Sequence, residues 1–311
     1  MAADAKDLVT LARAKQSNRQ ITDTTYDTIY QVWLTAASVW IEKYCKRTFY
    51  VKAFDELYNG SGAKRLLLRE YPVQLVTSVR CRPTTVLKIK NTAPTTNQRA
   101  TVRVTSTGLT LIRVASGVST TLTSGLDFAG NPTIDNLVTA INAAAGNYSA
   151  TRTGDATDYG KWPSADLYHA PAYGDGLSSA GSMDCANNRF AELKLHTQEV
   201  SNFEWDPRGW LLRATSYEDA DDFEEDRYIW PEGTNNYRVQ YTAGYTTIPE
   251  AVQEACAILT SQWWSLGNRD PNQLNTVTST TGTGVVPSDP PASVLQLLQP
   301  YRRLIVSNNQ G

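Results

Sequence analysis

The sequence predicts an α+β protein: a helical core with protruding β-hairpins, interrupted by a β-rich insertion domain. Three observations carry that expectation. Apolar residues recur at helical spacing near both ends of the chain, at Ile29, Trp33, Ala36, Trp40 and Tyr44 and again at Val252, Ala255, Leu259, Trp263 and Leu266. Between them lie short stretches where apolar and polar residues alternate, the period of a strand with one buried face. From residue 83 to 199 the composition shifts to Thr, Ser, Ala, Asn and Gly, and the aromatic texture returns afterwards. The expected organisation is a discontinuous core domain, residues 1–82 and 200–311, holding a small α+β insertion with a long loop at 83–199.

In chain order, Leu8, Leu11 and Ala12 suggest a short, weakly amphipathic helix. The second helix carries the first stripe. Thr22 or Asp23 can cap its start by accepting from a free backbone N–H, and Lys46-Arg47 places cations at its negative end. Thr48 to Tyr58 and Arg65 to Arg69, joined by Asn59-Gly60-Ser61-Gly62, read as a β-hairpin. Pro72 then breaks the run, and Gln74 to Cys81 alternates Leu75, Thr77 and Val79 against polar neighbours.

Within the insertion, Thr101 to Arg113 predicts two strands around Thr107-Gly108. Thr133 to Ala145 predicts a helix with Ile134, Leu137, Val138 and Ile141 on one face and Gly146 as its stop. A strand follows near Tyr148 to Arg152. Residues 154–182 read as a long irregular loop, suited to binding or to lying against a neighbouring subunit.

After the insertion, Leu193 and Leu195 lead to Phe203 and Trp205, and Asp206-Pro207-Arg208-Gly209 turns the chain into Trp210 to Ala214. Tyr237, Val239 and Tyr241 alternate on a strand that ends at Gly244. The helix after it opens on a Thr247…Glu250 capping-box pattern and buries Val252, Ala255/Cys256 and Leu259. Trp263-Trp264 splits between the core and a subunit contact, or lies in the core alone. Asn275 to Ser288 reads as a flexible connector. Asp289-Pro290 starts a C-terminal arm, 289–306, with a stripe of Val294, Leu298, Tyr301 and Ile305, which Pro300 should kink or end.

Composition narrows the function. A chain of 311 residues can bury a sizeable core without disulfides or metal. Eight Trp and sixteen Tyr exceed what a core alone needs, and such rings suit protein contacts. A net charge of −2 argues against a basic nucleic-acid surface. No apolar run approaches the roughly 18 residues of a membrane span. Nothing at the N-terminus resembles a signal peptide, so the expectation is a protein assembled in the cytoplasm. Cys45, Cys81, Cys185 and Cys256 are scattered without metal-ligand spacing and read as thiols, Cys45 and Cys256 within apolar helix patterns.

Catalytic patterns are absent from the sequence. His169 and His196 have no companion nucleophile, and no P-loop, GxSxG or HExxH occurs. Gly60-Ser61-Gly62-Ala63-Lys64 lacks the ending of a phosphate loop. The acidic run Glu218, Asp219, Asp221, Asp222, Glu224, Glu225 and Asp226 lacks the central Gly of a calcium loop and the fixed separation of a glycosidase pair. It reads as a solvated loop or as the lining of a channel that repels phosphates. The expectation is therefore no catalysis, no metal and no cofactor.

Several short motifs recur in one order. Ala36-Ala37-Ser38…Ile41-Glu42…Tyr44 precedes Arg47-Thr48-Phe49, then Tyr71-Pro72-Val73 and Val76-Thr77-Ser78-Val79. Val239-Gln240-Tyr241-Thr242-Ala243-Gly244-Tyr245 runs into Ile248-Pro249, and the last helix carries Leu297-Leu298-Gln299-Pro300-Tyr301-Arg302. Over residues 20–82 and 200–306 this order resembles the head–tail connector, or adaptor, family of tailed bacteriophages. The resemblance implies a virion protein that forms a twelve-fold homo-oligomeric ring under the portal. Its partners would be the portal, tail or tail-tube proteins, and passing double-stranded DNA without specific binding, with no membrane. It also favours a docking role, at the portal or the adjacent subunit, for the C-terminal arm through Val294, Leu298, Tyr301, Arg302 and Ile305, the alternative being that the arm packs on its own core. Alternatives are another neck ring, a stopper or terminator, and a tail-associated glycan-binding or glycan-cleaving protein.

Overall fold

The computed structural model describes residues 6–17, 24–153, 159–169, 182–213, 229–267, 277–279, 282–284 and 290–303. Thr22, Asp23, the acidic run 218–226, Ile305, most of the 154–182 loop and most of the 275–288 connector lie outside the described residues. The protein mixes helices with antiparallel sheets, as the sequence predicts.

The first elements are α1 (Leu11–Ser17), α2 (Asp27–Cys45), β1 (Lys52–Gly60), β2 (Arg65–Leu67) and β3 (Val73–Asn91). Next come β4 (Asn97–Val104), β5 (Leu109–Ala115), β6 (Val118–Leu122), α3 (Ile134–Ala143) and β7 (Tyr148–Arg152). A 3-10 turn (Ser164–His169), β8 (Ser182–Asp184), β9 (Ala191–Glu199), β10 (Phe203–Trp205), β11 (Trp210–Arg213) and β12 (Gly233–Ala243) follow. The last are α4 (Glu250–Gly267), the short β13 (Val277–Ser279) and β14 (Gly282–Gly284), α5 (Ala292–Leu298) and a 3-10 turn (Gln299–Tyr301). The chain divides into two compact units, residues 1–52, 70–74 and 243–311, and residues 53–69 and 75–242.

The first unit is helical. α2 packs on α4, and α1 and α5 complete a core that includes Leu8, Leu34, Ile41, Phe49, Leu259, Val294 and Leu298. The face that α2 buries is Tyr30, Leu34, Ala37, Ile41 and Cys45, not the stripe Ile29, Trp33, Ala36, Trp40 and Tyr44. Both sets have the same spacing and stand one residue apart, about 100° around the helix. The partner decides between them. Small residues face each other, Ala37 and Ser38 against Ala255 and Cys256, with Ser38 Oγ 3.5 Å from Cys256 Sγ. Indoles at that contact would hold the two axes apart.

The second unit is built from strands. A five-stranded sheet has the order β1-β12-β3-β7, with β9 also paired to β3. A three-stranded sheet runs β10-β11-β2, and a four-stranded sheet runs β6-β5-β4-β8. β1 and β2 therefore belong to different sheets, and the expected hairpin between them does not form. The turn is opened by the chain after Trp230: Gly62 N–H donates to Trp230 O at 2.8 Å and Gly60 N–H to Asn236 Oδ1 at 2.7 Å.

β3 runs unbroken for 19 residues through positions 82 and 83, where composition placed a domain boundary. Arg80 to Ile89 pairs with β9 and Leu87 to Asn91 with β7, so the strand ladder continues where the side-chain texture changes. In the first half of β3 burial falls on Val73, Val76 and Val79, and Leu75 and Thr77 are exposed.

Several local predictions, within the expected insertion and just after it, match the structure. β4 and β5 form the antiparallel pair about Thr107-Gly108, with Gly108 N–H donating to Thr105 Oγ1 at 3.2 Å. α3 is capped by Thr133, whose Oγ1 accepts from Asn136 N at 3.2 Å, and it buries Ile134, Leu137 and Ile141. Asp206 to Gly209 turns β10 into β11 through Gly209 N–H to Asp206 O at 2.8 Å.

Candidate functional site

Among the described residues of the helical unit, most large apolar side chains left in solvent cluster on one element. Ile29, Val32 and Val39 on α2 are 53%, 61% and 45% exposed, and Tyr26 immediately before it is 48% exposed. On a 3.6-residue helix Ile29, Val32, Ala36 and Val39 share one arc, opposite Leu34 and Ile41. Half-buried Trp33 and Trp40 flank that arc; Trp33 meets Trp263 edge-on at 6.3 Å and Trp40 stacks on Tyr44 at 5.2 Å. α2 is thus apolar around most of its circumference. A helix of that kind is expected to be covered on more than one side.

The scattered sequence motifs meet at the C-terminal end of α2. Arg47, buried, lays its guanidinium 4.0 Å from the Tyr71 ring centroid and 5.4 and 5.3 Å from those of Phe49 and Tyr245, and it donates to Tyr71 O. Gly244 N–H donates to Pro72 O at 2.9 Å and Tyr245 N–H to Phe49 O at 2.8 Å. Thr48 N–H donates to Glu70 Oε2 at 3.2 Å. Tyr301 closes the cluster, its ring 6.2 Å from Phe49 and 6.4 Å from Tyr245, and Arg303 N–H donates to Cys45 O at 2.9 Å. Arg47-Thr48-Phe49, Tyr71-Pro72, Gly244-Tyr245 and Pro300-Tyr301 are therefore one structural knot.

The structure places the predicted docking residues unevenly. Val294 and Leu298 are fully buried in the core of their own unit, so those two side chains are core residues and not a free docking face. Tyr301 is half-buried in the knot, and Arg302 is exposed with its guanidinium 5.4 Å from the Tyr44 ring. α5 stops at Leu298 and passes into the 3-10 turn at Pro300, as that residue predicts. Ile305 and the proposed channel-facing carboxylates Glu218, Asp219, Asp221, Asp222, Glu224, Glu225 and Asp226 lie outside the described residues.

Structural neighbours include virion and neck structures of a gene transfer agent. They are the virion of the native particle (12% identity, TM-score 0.34), the neck of the empty particle computed with C6 symmetry (13%, 0.35) and the neck of the native particle computed with C12 symmetry (11%, 0.32). Each covers 100% of this chain and 97% of the other. No family model and no curated protein matches the chain.

One constellation escaped the sequence. In the strand-rich unit, Arg238 is buried between Asp55 and Asp166: Nε donates to Asp55 Oδ1 at 2.8 Å, and Nη2 to Asp55 Oδ2 at 2.6 Å and Asp166 Oδ1 at 2.9 Å. Gln240 Nε2 donates to the same Asp55 at 2.9 Å. Nearby His196, buried, holds Asn235 O at 2.8 Å through Nε2, and burial lowers its pKa to about 4. The network ties β1, β12 and the 3-10 turn together as a structural clamp. Burial also raises the thiols of Cys45 and Cys256 to about 11 and Cys185 to about 12, so they stay protonated and unreactive near neutral pH. Among the described residues no three His, Cys, Asp or Glu side chains come together as a metal site, and no helix is long and apolar enough to cross a membrane.

Proposed function

We propose that this chain is a structural, non-catalytic subunit of a ring in the neck of a tailed-phage-like particle, joining the portal to the tail and leaving a channel for DNA. The observation that carries the proposal is the outward apolar arc of α2, on a unit whose own core is already complete without it. A monomer gains nothing from Ile29, Val32 and Val39 in water, and a subunit of an obligate assembly gains a contact. The knot about Arg47 supports the same reading, because it gives one structural purpose to motifs whose order resembles the adaptor family.

A ring of twelve copies, contact with portal and tail proteins, and passage of DNA without specific binding complete the proposal. Phage particles made without this chain test it. They should accumulate DNA-filled heads and free tails, and supplying the chain in trans should restore joined particles. Normal joining of heads and tails in its absence would sink the proposal.

A further inference from the structure

We infer that the outward arc of α2 is the apolar half of the contact between neighbouring copies of this chain, and that the exposed carboxylates at the start of α4 belong to the patch it meets. The inference rests on the ring reading above and adds the surface that closes the ring.

Two observations select a second copy as the occupant. The arc of Ile29, Val32, Ala36 and Val39 is uncharged along its length and ends on exposed Lys43 and Lys46, which form no ion pair among the described residues. The same unit presents the opposite charge elsewhere. Glu250, whose side chain is 78% exposed, and exposed Glu254 stand on the first turns of α4, with Arg13 shared between them. α2 meets α4 with its Leu34–Ile41 face, so the arc and the Glu250–Glu254 patch are different surfaces of one unit. A positively edged apolar patch and a separate negative patch fit a head-to-tail contact, the kind that repeats around a ring and closes. Three exposed aliphatic side chains make up a few hundred Å² at most, suited to the dry centre of a contact whose standard size is about 800 Å² per partner.

The test uses the full chain, alone and with portal rings added, sized by mass photometry. Val32→Asp with Val39→Asp alters only exposed positions, so the circular dichroism melt should be unchanged while the oligomer of the unaltered chain is lost. An oligomer of the same size and strength in the double variant overturns the inference and leaves the ring reading standing. A chain that is monomeric under both conditions before any substitution overturns both. Lys43→Glu should weaken self-association about tenfold, and Glu254→Lys added to it should recover most of that loss. A swap that recovers nothing removes Glu254 from the partner patch.

Discussion

Replacing Arg238 by Met probes what holds the strand-rich unit together. The side chain is 5% exposed and carries a bidentate pair with Asp55 and a third bond to Asp166. Burial disfavours its charge, yet the hydrogen bonds and attraction of the two carboxylates outweigh that, and the guanidinium holds its proton more firmly than in water. Met keeps the stem and removes the cation. Asp55 and Asp166, with side chains 24% and 17% exposed, then face one another's charge without it. Removing one partner of a buried pair costs about 3–5 kcal/mol. The lower end applies here, because Gln240 still reaches Asp55 and Arg80 lies 4.0 Å from Asp166. A loss of about 3 kcal/mol moves a urea midpoint by roughly 1–3 M at a slope of about 1–3 kcal/mol/M. Far-UV circular dichroism in urea reads it. Adding Asp55→Asn and Asp166→Asn should return part of the loss, since no unpaired carboxylate remains. An unchanged midpoint for Arg238→Met, or a triple variant less stable than the single one, refutes the reasoning.

His196 makes stability depend on pH. Its neutral form is buried and its folded pKa, about 4, lies below the unfolded value near 6.5. The contribution is full above about pH 6.5 and is lost as pH falls towards 4, on the order of 3 kcal/mol in all. Urea midpoints taken across that interval should fall more steeply for the natural chain than for His196→Gln; equal slopes contradict the assignment. Gly244→Ala should destabilise the helical unit by about 2 kcal/mol or more, because φ is +122° and a Cβ would sit 2.2 Å from Tyr50 O. A thermal melt within about one degree of the natural chain's would show that the knot tolerates the methyl. Thr133→Ala removes the α3 cap and should cost about 1 kcal/mol in the same assay.

Signals that act within a few residues were legible at several positions, but the Asn59–Gly62 turn was overridden by the chain after Trp230, and long-range partners were not legible. Gly108, Pro300 and the Asp206–Gly209 turn act through bonds within a few residues, so their chemistry predicts their structure. The buried face of α2 depended on Ala255 and Cys256, more than two hundred residues away. Two stripes of equal spacing cannot be separated without them, and the larger aromatic residues drew attention to the wrong one. Arg238 stands between Tyr237 and Val239, where alternation places a solvent-facing residue, and only Asp55 and Asp166 make its burial possible. The composition change at residue 83 falls inside β3, which pairs with β9 on both sides of it. Motif order pointed to one family resemblance, and the knot about Arg47 shows what those motifs do for the fold.

Single-particle imaging of the purified chain bound to portal rings asks directly whether it works as a closed ring on a portal. A closed ring stacked on the portal is expected, with the α2 arc of each copy covered by its neighbour. Portal rings that stay bare, or that carry separate copies with Val32 and Val39 still in solvent, would contradict it.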